Sequence, residues 1–378
     1  MKACDAKCDR LNGQAAVIKR RRRGQVLKVG MIGSGNIARN RHVPAWLKLG
    51  GQARITAISD VVHAAAAGGA QQITVASNEP VAVYDDYHAL IREADIDAVD
   101  ICLPHHLHAD AILTAVAAGK HILCEKPMCI SLAEANEIVA AVERAGIVYM
   151  SGHNELFYPA VAAAKEFIDC GGVGTPFVLR SHEFPGSYPA AKVPGRAPEQ
   201  TSMVGWRASR ETMGGGVLID KGYHPTYILL YLADSEPVEV TAMVNTYVAR
   251  MDGEDTALVL VKFANGAIGQ IFTGEGFAFP ANDAKFHVIG ARGEVYGMRY
   301  DVHTKPRGFT EPSSRAFPPD PNGNQRTFDA TIMHFTDSIA TARPPIQGVR
   351  DGRRVLEVIQ AAYRSVAEGR TISLSLAH

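Results

Sequence analysis

A short glycine-rich stretch near the start of the chain has the residue types and spacing of a phosphate-binding turn. In KVGMIGSGNIA, Gly33, Gly35 and Ala38 form a Gly-x-Gly-x-x-Ala pattern. The first glycine permits a tight turn, the second lets backbone approach a pyrophosphate, and the alanine lets the following helix pack against the preceding strand. The N-terminus of that helix favours anions because its first N–H groups are free. The pattern predicts a dinucleotide site that includes Asn36 and Ile37.

A carboxylate follows at the place where such a site needs one. Asp60 ends the next apolar run, ARITAISD, 27 residues after Gly33, which is somewhat longer than the usual spacing of about 20. A carboxylate there accepts hydrogen bonds from the adenosine ribose hydroxyls and repels a 2′-phosphate. The segment VVHAAAAGG that follows has no Lys or Arg to bind one. NAD is the predicted cofactor, with NADP less favoured. The alternative is a structural turn with a helix-capping Asp60.

The elements that must position this turn occupy the chain from about residue 26 to residue 150. Apolar runs typical of strands alternate there with segments whose apolar residues recur at helical spacing, such as SLAEANEIVAAVERAG. The strand-like runs are VLKVGMI, ARITAISD, VAVY, AVDICL, HILCEK and GIVYMSG. Such alternation predicts an α/β fold with a doubly wound parallel sheet, a Rossmann domain at residues 26–150.

Longer strands joined by hairpin signals follow after residue 150. Asn265-Gly266 separates two alternating runs, and FHVIGARGEVYG predicts a second hairpin. These patterns predict a second α/β domain at residues 151–345, with a large, open, mostly antiparallel sheet. Helices are predicted in PAVAAAKEFIDCGG and GGGVLIDKGYHPTYILLYLAD, and long loops at Phe184–Gly205 and about His303–Asn324. An amphipathic helix ended by Gly369 and a tail fill residues 346–378.

Composition limits the classes of partner. The 378 residues contain 39 basic and 39 acidic residues, so no net charge attracts nucleic acid or an anionic membrane. No run reaches the 18 or more apolar residues of a membrane span. The six cysteines fall partly in apolar strands, which favours free thiols and a cytoplasmic location. Residues 1–25, with the run KRRRR, are predicted to be a flexible basic extension. The CDAKC motif within them lacks a second ligand pair, so no metal site is predicted.

Three further motifs occur in order along the chain: CLPHHLHAD, GKHILCEKPM and GGGVLIDKGYH. With the glycine turn they resemble the signatures of the glucose-fructose oxidoreductase and inositol dehydrogenase family (Gfo/Idh/MocA), from about Lys28 to Ser373. The most specific elements are Glu125-Lys126-Pro127 and the Asp-x-x-x-His of Asp220 and His224. The resemblance implies an NAD(P)-dependent dehydrogenase or reductase that acts on a hydroxyl or keto group of sugars, inositols and related polyols. It also implies a homo-oligomer, a dimer or tetramer, formed through the second sheet.

The resemblance further implies roles for individual residues. Lys126 would lie beside the nicotinamide, often on a cis Lys-Pro peptide, and hydrogen-bond the reacting oxygen, while Glu125 contributes to the cofactor site. Asp220 would bind substrate or orient its neighbours, and His224 would be the general acid/base, a role that suits a group titrating near neutral pH. The spacing of four predicts Asp220 and His224 on one helix face, and Pro225 predicts a kink at His224.

Other residues have weaker signals. The resemblance implies that the loop with Pro104 and His105 lies along the nicotinamide, which makes them candidates for cofactor contact. The crowded histidines of PHHLHAD lack a carboxylate-rich partner segment for a metal. Asn154 resembles a substrate-binding strand end of the family, although Glu155 and Leu156 stand where basic residues are common in relatives. Trp206 and Arg207 either bind a ligand or anchor the preceding loop.

Three functions are compatible with these patterns. The favoured one is an NAD-dependent oxidoreductase that transfers hydride between NAD and a secondary alcohol or ketone of a sugar, glycoside or polyol. An alternative is a redox-assisted glycoside lyase or hydrolase that retains its NAD. An aglycone or a second sugar ring would then be enclosed by the long loops, with Tyr188, Arg196, Glu199 and Trp206. Retention of Lys126 disfavours this alternative. The least favoured is a non-catalytic, dinucleotide-sensing regulator.

Overall fold

The computed structural model describes residues 25–184, 205–247, 251–275 and 283–375. The basic run KRRRR and the CDAKC motif lie outside these residues. So do Tyr188, Arg196 and Glu199 of the predicted long loop.

The first sheet has six parallel strands in the order β3-β2-β1-β4-β5-β6. The strands are β1 (Leu27–Ile32), β2 (Ala53–Ser59), β3 (Ala82–Tyr84), β4 (Ala98–Ile101), β5 (His121–Cys124) and β6 (Tyr149–Ser151). All six strands lie within the apolar runs from which they were predicted, so the Rossmann sheet is confirmed. The strand order reverses between β1 and β4, and ligands of such sheets bind at the carboxyl ends beside this point.

Helices connect these strands. The glycine turn leads into π-helical Ala38–His42, which continues as α1 (Val43–Leu47). The later connections are α2 (His63–Ser77), α3 (Tyr87–Glu93), α4 (His108–Ala117) and α5 (Leu132–Ala145). Helix α5 shows why these segments are helical, because Ser131 and Glu134 form a capping box at its start and Gly146, with φ +63°, ends it.

The second sheet has nine strands in the order β14-β13-β12-β11-β7-β10-β9-β8-β15. They are β7 (Pro176–Glu183), β8 (Pro237–Asn245), β9 (Thr256–Phe263), β10 (Ile268–Gly274), β11 (Phe286–Gly290), β12 (Gly293–Gly297), β13 (Asp301–Pro306), β14 (Ser313–Ala316) and β15 (Ile372–Ser373). The pair β7 and β10 is parallel and the other pairs are antiparallel, which confirms the predicted mostly antiparallel sheet. Both predicted hairpins are present, and Gly266 has the positive φ, +87°, that its turn requires.

Within the described residues, the helices that accompany this sheet are α6 (Pro159–Asp169), α7 (Arg210–Met213), α8 (Val217–Asp220), α9 (Tyr223–Ala233), α10 (Gln325–Thr341) and α11 (Val349–Glu368). Helices α6 and α9 pack on the sheet, α11 packs between α5 and β8, and α10 packs on α1. None of the helices in the described parts of the chain is long and apolar enough to cross a membrane.

Three sequence predictions about these elements were wrong. The helix predicted across residues 214–234 is two helices, α8 and α9, separated by Lys221 and Gly222. Pro225 therefore lies in the first turn of α9, where the N–H that proline lacks has no helical partner to lose, and no kink occurs at His224. The long loop predicted at about His303–Asn324 contains strands β13 and β14. Helix α10 was not predicted.

Candidate active site

A cavity of about 1000 Å³ lies where the carboxyl ends of the first sheet meet residues of the second sheet. Its lining includes all the site residues predicted from the sequence: Gly33, Gly35, Asn36, Ile37, Asp60, Pro104, His105, Glu125, Lys126, Asn154, Trp206, Arg207, Asp220 and His224. The fold thus brings residues almost 200 positions apart in sequence to one space. Their individual roles stay predictions.

The cofactor end of the cavity is built by the glycine turn and Asp60. Gly33 has φ +93°, and a Cβ on it would lie 2.4 Å from the carbonyl oxygen of Cys102, so this position requires glycine. A Cβ on Gly35 would meet nothing within 4 Å, which leaves open space beside the backbone for a phosphate. Each Asp60 oxygen accepts one backbone N–H at 2.9 Å, from Ser34 or Val62. Further lone pairs remain for ribose hydroxyls, so these residues fit a dinucleotide.

Lys126 and Asp220 form a buried ion pair at the centre of the cavity. The Lys126–Pro127 peptide bond is cis, as the resemblance implied. Lys126 Nζ donates to the Asp220 backbone oxygen at 2.7 Å and to Oδ1 at 2.8 Å, so one of its three donors is left. Burial alone would raise the pKa of Asp220, but Lys126, His105 and Arg207 hold it well below its usual value. Asp220 is therefore ionised, and it fixes the Lys126 ammonium.

His224 lies in the first turn of α9, one residue after its start. The Tyr227 hydroxyl lies 2.8 Å from Nδ1, which leaves Nε2 for a ligand. Burial and the nearby Lys126 cation lower the pKa of His224 to about 3, so the ring is neutral at neutral pH. Although Asp220 and His224 do not share a helix face as predicted, both line the cavity with Lys126. The break after α8 places them there.

Two histidines of PHHLHAD, His105 and His106, connect this segment to helix α7. His105 Nδ1 lies 2.9 Å from the Met213 carbonyl oxygen, and His106 Nδ1 lies 3.2 Å from that of Thr212. The Trp206 ring packs edge-on against His105, with centroids 4.4 Å apart. Arg207 stacks on Trp206 and donates from Nε to Asp220 Oδ2 at 3.2 Å. These two residues therefore support His105 and Asp220 at the edge of the cavity.

A group of charged residues on the substrate side was missed by sequence reasoning. Lys285 is fully buried between two carboxylates, with Nζ 2.8 Å from Glu155 Oε2 and in contact with Glu183. We call Glu155, Lys285 and Glu183 the Lys285 cluster. Arg299 lies 3.5 Å from Glu183 and lines the cavity with both glutamates. No local pattern signals this group because its members come from separate elements. Asn154 instead donates its amide to Thr327 on α10.

A second buried group lies under the cofactor side. His42 Nδ1 and Trp46 Nε1 both approach Asp100 Oδ2, at 2.8 and 2.7 Å. With Cys102, His42 and Asp100 are the described residues that come nearest to a metal-ligand set. Burial raises the pKa of Cys102 to about 12, so it is a thiol, a weak ligand in that form. The hydrogen bonds account for the arrangement, and the absence of a metal stays a prediction.

Comparison with known proteins gives matches across both sheets. Residues 27–153 match an oxidoreductase family with an NAD-binding Rossmann fold, and residues 161–296 match the GFO/IDH/MocA C-terminal domain. The chain is 27% identical over 350 residues to 1,5-anhydro-D-fructose reductase of Ensifer adhaerens, covering 91% of this chain and 98% of that protein. It is 25% identical over 356 residues to myo-inositol 2-dehydrogenase of Thermotoga maritima, covering 92% and 98%.

A solved structure with a similar fold is levoglucosan dehydrogenase in complex with NADH and levoglucosan. The TM-score is 0.80 at 24% identity, and the match covers 92% of this chain and 99% of that one. These findings confirm the predicted α/β fold, the oxidoreductase class and the NAD cofactor.

Proposed function

Because the chain belongs to the GFO/IDH/MocA oxidoreductase family, we propose that it transfers hydride between NAD and a secondary alcohol or ketone carbon of a sugar, glycoside or polyol. The observation that carries this proposal is the Lys126–Asp220 ion pair beside neutral His224, in the same cavity as the glycine turn. The relatives named above are a dehydrogenase acting on an inositol and a reductase of an anhydro sugar. Those names give no support to the lyase or regulator alternatives.

Hydride leaves a carbinol carbon only as the hydroxyl proton departs, so the site must manage both. When bound, NAD⁺ supplies the nicotinamide that accepts the hydride. Neutral His224 accepts the hydroxyl proton at Nε2 and, in the reverse direction, returns it. Lys126 directs its remaining N–H at the same oxygen and stabilises the developing negative charge. Asp220 holds the Lys126 side chain in place through two hydrogen bonds.

The Lys285 cluster is proposed to bind the hydroxyl groups remote from the reacting carbon. Glu155 and Glu183 line the cavity, and ionised carboxylates accept hydrogen bonds from hydroxyl donors. Burial would lower the pKa of Lys285, but Glu155 and Glu183 raise it above its ordinary value, so the cluster keeps its cation. A polyhydroxylated substrate fits such a wall better than an apolar alcohol does.

We further propose a homo-oligomer formed through the second sheet. Met243, Leu260 and Ile268 are 79%, 43% and 53% exposed. The strand register places all three on the face of β8, β9 and β10 that lies opposite the buried residues. Exposed apolar patches of this kind mark interaction sites. Light scattering should give a dimer or tetramer for the wild type and a smaller species for Leu260→Glu.

Two predictions about the whole chain also belong to the proposal. The first is the division into a cofactor-binding domain at residues 26–150 and a substrate-binding domain at 151–345. The second is a cytoplasmic location, which the buried free thiols of Cys102, Cys124 and Cys129 favour.

The test of the catalytic assignment is Lys126→Met, with Lys48→Met as a matched control at an exposed lysine. Oxidation of myo-inositol and levoglucosan by NAD⁺, and reduction of 1,5-anhydro-D-fructose by NADH, are followed at 340 nm. Lys126→Met is expected to lower kcat by about a thousandfold, since it removes the group that stabilises charge in the transition state, while the Kd of NAD⁺ changes little. Unchanged turnover in Lys126→Met would refute the assignment.

A further inference from the structure

His42, which the sequence analysis did not single out, is buried between two carboxylates. Its Nδ1 lies 2.8 Å from Asp100 Oδ2 and its Nε2 lies 3.0 Å from Glu125 Oε1, and the side chain is 1% exposed. An ionised carboxylate only accepts hydrogen bonds, so both ring nitrogens must carry a proton. His42 is therefore an imidazolium. Burial opposes this charge, but Asp100 raises the pKa of His42 well above its ordinary value.

The local fold fixes the His42 ring. His42 ends the π-helical segment Ala38–His42, and such segments occur often at functional sites. One turn later, Trp46 donates to the same Asp100 oxygen at 2.7 Å. Helix α10 covers both rings, with Phe328 against His42 and Phe335 against Trp46. The ring thus has contacts on several sides and little freedom to turn.

Glu125 connects His42 to the centre of the cavity. While Oε1 faces His42, Oε2 accepts the backbone N–H of Lys126 at 3.2 Å. The Glu125 side chain is 12% exposed and lines the cavity. Lys126 in turn bonds Asp220. A single carboxylate therefore lies between the buried imidazolium and the backbone of the proposed catalytic lysine.

We propose that His42 is a positioning residue for Lys126: its buried ring, held between Asp100 and Glu125, fixes the Glu125 side chain, and Glu125 fixes the Lys126 backbone at the cavity. The inference rests on the proposed function only in naming Lys126 as the catalytic group. His42, Asp100 and Glu125 are called the His42 cluster below.

Removal of the imidazolium has a consequence that packing alone does not produce. Among the described residues, the ionisable groups that face the His42 cluster are Cys102, Cys124, Lys126, His224, His108 and His153. Among these, Lys126 is the cation, and it is already committed to Asp220. Burial raises the pKa of Glu125, and at present His42 and Lys126 outweigh that effect and lower it. Without His42, Glu125 is expected to take up a proton closer to neutral pH.

The test compares His42→Gln, Glu125→Gln and the double variant in kcat measured from pH 6 to pH 9. His42→Gln is expected to lower kcat by about 10- to 100-fold, as loss of outer-shell support does elsewhere, and to add a loss of activity on the acid side. The double variant should match Glu125→Gln, because His42 acts through Glu125. Trp46→Phe, which removes the other donor to Asp100, should keep the wild-type pH profile. Additive losses, or a His42→Gln profile parallel to the wild type, would overturn the proposal.

A second measurement does not depend on activity. With ¹⁵N-labelled histidine, the His42 signals, assigned by their loss in His42→Gln, should show both nitrogens protonated at pH 8. A neutral ring, or one equivalent of tightly bound zinc in the purified protein, would refute the proposal even if the enzyme turns over its substrate. Failure of every substrate, with the imidazolium present, would instead count against the proposed function.

Discussion

The two sides of the cavity each contain a buried cation between two carboxylates, yet they differ in what they expose. In the His42 cluster, His42 and Asp100 are at most 1% exposed, and Glu125, whose side chain is 12% exposed, lines the cavity. In the Lys285 cluster, the cation is fully buried, and both Glu155 and Glu183 line the cavity with Arg299. One cluster therefore reaches the cavity through one carboxylate and the other through two.

The difference shows how one charge arrangement serves two purposes. Buried ion pairs seldom stabilise a fold more than apolar residues of similar size would, because desolvation offsets the attraction between the charges. Their retention points to a role in position or in binding. The His42 cluster is proposed to act on the Lys126 backbone, whereas the Lys285 cluster is proposed to offer carboxylate oxygens to a substrate. Three predictions test this contrast.

The largest expected effect is on stability. Lys285→Met should lower the free energy of unfolding by about 3–5 kcal/mol, because it leaves two buried carboxylates without their cation. Urea unfolding followed by circular dichroism measures it. Lys262→Met, at a 55% exposed lysine paired with Glu239, should cost less than about 1 kcal/mol.

A variant that neutralises the whole Lys285 cluster makes this prediction sharper. Glu155→Gln, Lys285→Met and Glu183→Gln combined should recover part of the stability lost in Lys285→Met, since no unpaired charge is left. If Lys285→Met lowers the free energy of unfolding no more than Lys262→Met does, Lys285 is not buried between two carboxylates as described.

Acid should destabilise the protein through histidines on the substrate side. Burial lowers the pKa of His105 to about 3, of His153 to about 4 and of His224 to about 3. Since these values lie below the unfolded value of about 6.5, their contribution to stability is present above pH 6.5 and is lost below it. The contribution of His42 to stability has the opposite pH dependence, because the pKa of His42 is raised in the folded state. This contribution is present below pH 6.5 and is lost as the pH rises through the folded-state pKa.

Between pH 7.5 and 5.5, each of the three neutral histidines should cost roughly 1.4 kcal/mol and His42 should offset one of them, a net loss of roughly 3 kcal/mol. Urea unfolding at the two pH values measures this loss. Stability that is flat or increases on acidification would contradict the protonation states described for both sides.

The smallest effect separates binding from positioning. Glu155→Gln should raise KM for the substrate about tenfold, the value of one charge-assisted hydrogen bond, with kcat within about threefold of wild type. His42→Gln should instead lower kcat and leave KM nearly unchanged. Glu79→Gln, at a 52% exposed glutamate that does not line the cavity, is the matched control and should change neither constant. A loss confined to kcat in Glu155→Gln would place that residue in the chemistry.

Sequence reasoning predicted the features that a local pattern specifies. The glycine turn, Asp60 and the strand-helix alternation are all readable within a few dozen residues, because each element's periodicity and its punctuating glycines are local. The Lys126 and Asp220 motifs were located through the family resemblance, and the structure brings them within 2.8 Å.

Sequence reasoning failed where the role of a residue depends on its tertiary contacts. Lys285 has no local signal, since its meaning comes from Glu155 and Glu183, more than 100 residues away. His42 was overlooked because a histidine in a helix after a glycine turn is indistinguishable by pattern from a core residue. The break between α8 and α9 was placed at Pro225 instead of at Gly222, because a proline in the first turn is compatible with a helix.

The central claim, hydride transfer to free NAD⁺, is tested most directly by looking for released NADH. The purified protein is incubated with NAD⁺ and each of a panel of inositols, hexoses, sugar acids and glycosides, and the ultrafiltrate is read at 340 nm. At least one panel member should give many equivalents of NADH per protein chain. Cleavage of a glycoside with no NADH in the filtrate, or no dinucleotide binding at all, would contradict the account.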